Sequence, residues 1–129
     1  MKTWLSLVFA FCGSLAFAEG EGILVRMDGC MKNAYSDLEE YQCARAGYKA
    51  ADKLLNYRYQ AVKADVDQDG VDYLRESQNK WLNNTRNYQC QANPDTGKTF
   101  ANTPIGAQEL KCFAQKTIAR VNLLKTSDY

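Results

Sequence analysis

Residues 65–76 read DVDQDGVDYLRE. The letters follow D-x-D-x-D-G-x-x-x-x-x-E, the spacing of a calcium-binding loop set between two helices. On that template Asp65, Asp67 and Asp69 take positions 1, 3 and 5, and Gly70 makes the sharp turn. Val71 offers its carbonyl, and Glu76 closes the set as a bidentate ligand. The competing assignment is a plain turn between two helices. Asp69-Gly70 then reverses the chain, and an acid near the start of the next helix meets its positive end. Position 8 is Asp72, where paired calcium loops carry an aliphatic residue, and the chain offers no second loop to pair with. The turn is the primary expectation. Calcium at Asp65, Asp67, Asp69, Val71 and Glu76 is secondary, and no other cofactor or metal is expected.

Working outward, the turn separates two helical patterns. Upstream, Ser36 and Glu39 form a capping box, and from Leu38 to Val66 there is no proline and one glycine, Gly47. Apolar residues recur at Ala51, Leu55, Tyr59, Val62 and Val66, the period of an amphipathic helix. Gly47 is its weak point, at about 1 kcal/mol relative to alanine. Downstream, a second helix is expected from Val71 to Tyr88 with Tyr73, Leu74, Trp81 and Leu82 on its apolar side. Residues 91–105, QANPDTGKTFANTPI, hold both prolines and read as a long loop. A third helix is expected from Ala107 to Leu124, where Leu110, Phe113, Ala114, Thr117, Val121 and Leu124 share a face. Residues 19–33 carry little pattern and are expected to be an irregular lead-in. The fold class is all-α: a disulfide-linked antiparallel helical hairpin with a third, C-terminal helix packed on it.

The first eighteen residues stand apart. Lys2, the apolar run Trp4–Phe11 and Ala16-Phe17-Ala18 have the layout of a secretory signal peptide, with Glu19 the new N-terminus of a domain over 19–129. The apolar run is too short to be a membrane span, so no membrane anchor is expected after cleavage. Removing Cys12 leaves Cys30, Cys43, Cys90 and Cys112, an even set in a small exported chain, which implies two disulfides. Cys30 could fold back on Cys43, and Cys90 closes one helix while Cys112 lies two turns into the next. This favours Cys30–Cys43 with Cys90–Cys112. Cys43–Cys90 with Cys30–Cys112 stays open, since antiparallel helices bring the first pair to one end. With Lys2 gone, 15 basic residues face 15 acidic ones, and no basic patch argues for nucleic acid.

Three ordered motifs then emerge. D-x-x-L-N-x-x-Y is formed by Asp52, Leu55, Asn56 and Tyr59. L-x-x-x-Q-x-x-W is formed by Leu74, Gln78 and Trp81, followed by Arg86 four residues before Cys90. C-x-x-x-x-T-x-x-R-x-x-L is formed by Cys112, Thr117, Arg120 and Leu123. With four cysteines between them, these resemble the LprI-type domain, a family of exported bacterial proteins named for a lysozyme inhibitor, over about residues 30–124. The family places its turn at 65–76 without a metal. It also places the arginine four residues after the tryptophan, whereas Trp81 and Arg86 are five apart. One added residue rotates a helix by about 100°, so Arg86 keeps the family position only if a local bulge restores the register. As bare chemistry, Asp52, Asn56, Gln78 and Arg120 read as polar partners between helices, with Tyr59 and Trp81 filling the seam.

The resemblance implies a periplasmic or secreted protein that binds a lysozyme or another cell-wall hydrolase and acts by occlusion. Two surfaces are candidate contacts. A loop bearing Lys98 could enter a cleft lined by two carboxylates, or Asp65, Asp67, Asp69 and Asp72 could meet a basic surface. An immunity protein against a cell-wall-degrading toxin is the alternative function. Catalysis is not expected: the chain has no histidine, its thiols are paired, and no G-x-S-x-G or zinc spacing occurs.

Overall fold

A computed structural model describes residues 14–90 and 106–126. Among these, four α-helices are present: α1 (Ser14–Lys32), α2 (Asp37–Asp65), α3 (Gln68–Trp81) and α4 (Ala107–Thr126). A π-helical segment, Leu82–Asn87, continues α3. No strand occurs among the described residues. The all-α class expected from the sequence is the class observed.

The capping box at the head of α2 forms. The Glu39 N–H donates to Ser36 Oγ at 3.2 Å, while the Glu39 carboxylate reaches one residue further back and accepts from the Tyr35 N–H at 2.9 Å. One orphan donor of the first turn and the N–H of the residue before the cap are thereby satisfied.

The lead-in at 19–33 is not irregular. It belongs to α1, whose Ile23 and Met27 are buried and join Ala51 of α2 and Ala114 and Ile118 of α4 in one cluster. Glycines at 20, 22 and 29 weaken helix propensity here, but burial of this apolar face outweighs them. Gly47 also takes on a purpose. A Cβ there would fall 2.5 Å from the Met27 sulfur, so α1 crosses α2 at a point that no larger residue allows. The position that looked weak is the crossing point.

The central seam is between α2 and α4, which run in the same sense. Glu40 meets Gln108 near their starts, the Tyr48 and Phe113 rings lie 5.5 Å apart further along, and Leu55 packs with Val121 and Leu124 beyond. Ala44, Ala51 and Ala114 are fully buried, and their small side chains let the two helices approach closely. α1 lies antiparallel on one flank and α3 on the other. All six apolar-face residues expected on the C-terminal helix are buried. Each large one stabilises the fold by roughly 1.5–3 kcal/mol.

Two disulfides tie the flanks to the seam. Cys30 pairs with Cys43, joining α1 to α2, and Cys90 pairs with Cys112, joining the end of the π-helical segment to α4. This is the favoured connectivity. Each crosslink adds about 2–4 kcal/mol, mainly by restricting the unfolded chain.

Candidate functional site

Several residues of the three motifs converge on the Trp81 indole. Trp81 is 8% exposed and packs with Leu55, Leu74, Val121 and Leu124. Arg120, on α4, is 4% exposed. Its Nε donates to Gln78 Oε1 at 2.8 Å and its Nη2 to Ser77 Oγ at 3.0 Å, while its guanidinium lies 5.8 Å from the Trp81 ring centre. Burial pushes the Arg120 guanidinium below its usual pKa, an effect opposed by Tyr59. Buried polar groups need such partners, and the i, i+1 pair Ser77-Gln78 presents two acceptors to one planar fork.

Arg86 forms a second node. Its guanidinium carbon lies 5.2 Å from the Phe113 ring centre, 5.5 Å from that of Trp81 and 5.7 Å from that of Tyr48. Nη1 donates to the Tyr48 hydroxyl at 3.2 Å, and Asp52 Oδ1 stands 3.9 Å away. A cation among three aromatic faces is favourable in its own right. The five-residue spacing from Trp81 is absorbed by the π-helical stretch Leu82–Asn87. There the backbone bonds i to i+5 rather than i to i+4, and α-type bonding returns when the Cys90 N–H reaches the Arg86 carbonyl at 3.1 Å. The extra residue sits on the exposed side, at Asn83-Asn84, and Arg86 faces Trp81 after all.

Other sequence-derived candidates are placed differently. Asn56, expected among the interhelical polar partners, lies on the exposed face of α2. The leucine that is buried near the end of α4 is Leu124, whereas Leu123 is 41% exposed. Thr117 is fully buried in the seam, and its hydroxyl has no hydrogen-bond partner among the described residues. Lys98 lies outside the described residues. Ser77 and Tyr48 carry no motif signal, and Phe113 is expected from sequence only as part of the apolar face of the C-terminal helix. The spacing of Tyr48, four residues before Asp52 on one helical face, was the available signal for it.

The calcium-loop letters do not form a calcium loop. Asp65 ends α2, Val66 and Asp67 are extended, and Asp69, Val71, Asp72 and Glu76 all belong to α3. Asp67 is the N-cap, its Oδ1 accepting from the Gly70 N–H at 2.9 Å. Gly70 is helical, and a Cβ there would fall 2.7 Å from the Val66 Cβ, so the glycine permits a tight entry into α3. Two of the acids have other partners: Asp72 pairs with Arg75 at 3.4 Å and Glu76 with Lys80 at 2.9 Å. No group of three or more metal-ligating side chains among the described residues is arranged to hold an ion. What remains is an exposed acidic end of the bundle.

Compared with known families, the sequence model described as "Lysozyme inhibitor LprI" matches residues 30–124. That span runs from the first disulfide cysteine to Leu124 and includes every residue around Trp81. The chain belongs to the LprI family. No curated protein and no solved structure matches it. The LprI match begins at Cys30, so Ser14–Gly29 of α1 lie outside its limits. Among the described residues, no helix is long and apolar enough to cross a membrane. The Trp81 cluster of this LprI domain is nearly closed to solvent, which makes it a brace for the helices.

Proposed function

We propose that the chain from Glu19 onward is an exported inhibitor of a lysozyme or another peptidoglycan hydrolase, acting by occlusion and having no catalysis of its own. The LprI match over residues 30–124 is the observation that carries this reading. Two disulfides agree with an oxidising compartment, periplasmic or outside the cell. The rigid body supports the mechanism: an inhibitor that is ordered before binding loses little entropy on association.

The acidic end is the contact we favour within the described residues. Asp65, Asp67, Asp69, Asp72 and Glu76 are all exposed at one end of the helices, with Arg75 the single cation between them in sequence. A basic enzyme surface would be steered to such an end, raising the association rate more than the residence time. The segment bearing Lys98 is the other contact we retain, as a polar plug for a carboxylate-lined cleft.

The test is capture of lysozymes and endogenous cell-wall hydrolases by the mature protein, followed by an activity assay on each enzyme bound. Binding with slowed hydrolysis is expected. If no hydrolase is bound or slowed, the proposal fails. Replacing Asp65, Asp67, Asp69 and Asp72 by asparagine distinguishes the two contacts. Loss of the salt-dependent part of binding is expected, and unchanged binding assigns recognition to the Lys98 segment instead.

A further inference from the structure

The two disulfides differ in their surroundings far more than in their backbone geometry. Their Cα atoms are 5.6 Å apart at Cys30–Cys43 and 5.5 Å apart at Cys90–Cys112. Cys90 is 4% exposed and lies in a core cluster with Ala44, Leu110 and Phe113, against which half-buried Cys112 packs, while Cys43 is buried like Cys90. Cys30, by contrast, is exposed at the last turns of α1. A groove of about 260 Å³ between α1 and α2 opens beside it, lined by Ile23, Arg26, Cys30, Cys43, Ala46 and Ala50. The lining is apolar apart from the exposed Arg26.

Thiol–disulfide exchange requires a thiolate to reach a sulfur, and its rate depends on access and on how well the departing thiolate is stabilised. The α1–α2 bridge meets the first requirement, since Cys30 faces solvent beside an open groove. We propose that Cys30–Cys43 is a thiol–disulfide exchange site, opened by an external dithiol while Cys90–Cys112 remains closed. The attacking thiolate forms a bond to the Cys30 sulfur as the Cys30–Cys43 bond breaks. The electron pair leaves on the Cys43 sulfur, which takes up a proton. The second thiol of the reagent, deprotonated, then attacks the mixed disulfide and releases Cys30, which is protonated in turn. Two electrons pass from the dithiol, which becomes a disulfide, to the protein, which gains two thiols.

The fold accommodates the open state. α1 keeps its packing through Ile23 and Met27 and its ion pair from Asp28 to Lys111 of α4 at 3.2 Å. Reduction therefore releases the end of α1 from α2 while the α2–α4 seam stays assembled, and oxidation can restore the bridge. The site thus acts as a reversible clasp on α1. This inference rests on the disulfides and the groove, and stands whether or not a hydrolase is the partner.

The experiment is a time course of the mature protein with dithiothreitol at neutral pH. Free thiols are alkylated at intervals and located by peptide mass spectrometry, with far-ultraviolet circular dichroism recorded in parallel. The expected first product carries labels on Cys30 and Cys43, with Cys90–Cys112 intact and helicity retained. Opening of Cys90–Cys112 first, or of both bridges in step, would overturn the proposal. The same course in concentrated guanidinium should lose the order. An order that persists in the unfolded chain would place selectivity in local sequence and also overturn it.

Discussion

Residues 65–76 and residues 81–86 are two segments of the same helical arm, and they depart from their patterns in opposite ways. The first matches a calcium loop letter for letter, yet most of it is helix and its Asp67 serves as a cap. The second misses by one residue the spacing that the resemblance implies, yet a π-helical stretch returns Arg86 to Trp81. Spacing in letters becomes spacing in space only through the backbone conformation between them. Where neighbouring helices supply a strong demand, as three aromatic rings do for Arg86, the backbone adjusts to meet it. At the turn no second acidic loop among the described residues demands a calcium geometry, and the chain takes the cheaper helical start.

This contrast can be broken most severely at Trp81. Trp81→Ala removes the ring shared by both arginine nodes and should cost about 3–5 kcal/mol, read from the midpoint of denaturant unfolding. A loss below about 1 kcal/mol would mean that the two nodes do not depend on the indole. Next comes Gly70→Ala. A calcium loop and a tight helical entry both want glycine here, but only the second brings the new Cβ against Val66. After the helix-propensity gain of about 1 kcal/mol, a net loss of about 1–2 kcal/mol is expected, unaltered by calcium. A loss that appears only in calcium would favour the loop.

Asp67→Ala should cost about 1 kcal/mol through the lost N-cap, whereas Asp65→Ala should change stability by less than about 0.5 kcal/mol. Calcium-loop ligands would behave alike, and calorimetric titration would then show heat that both variants lose. The last change is the most pointed. Deleting Asn84 removes the extra residue and should turn the π-helical stretch into ordinary helix with Arg86 still among its rings. Stability should change by no more than about 1 kcal/mol. A collapse in stability would mean that the extra residue has a packing role of its own.

Much of the fold was legible. α2, α3 and α4 announce themselves by period and capping, because their apolar faces are broad and uninterrupted. The buried face of α4 could be read residue by residue. α1 could not, because three glycines mask Ile23, Met27 and Met31, whose spacing of four is helical; only the neighbouring helices make that stripe worth burying. The parallel α2–α4 seam was equally hidden, since alanines mark close approach without advertising it. Among site residues, Gln78 and Arg120 were read correctly as partners, while Asn56 was misread because a polar residue on a motif gives no sign of which face it occupies. Contacts that depend on two remote positions, such as Arg86 with Tyr48, carry no local pattern at all.

The central claim, that this LprI domain inhibits a cell-wall hydrolase by occlusion, meets its most direct test in one titration. The rate of peptidoglycan solubilisation by a captured lysozyme-class enzyme is measured as the mature protein is added. The account predicts a saturable fall to a low floor, with the endpoint at one inhibitor per enzyme and the inhibitor recovered uncleaved. A rate unchanged at saturating protein would contradict it.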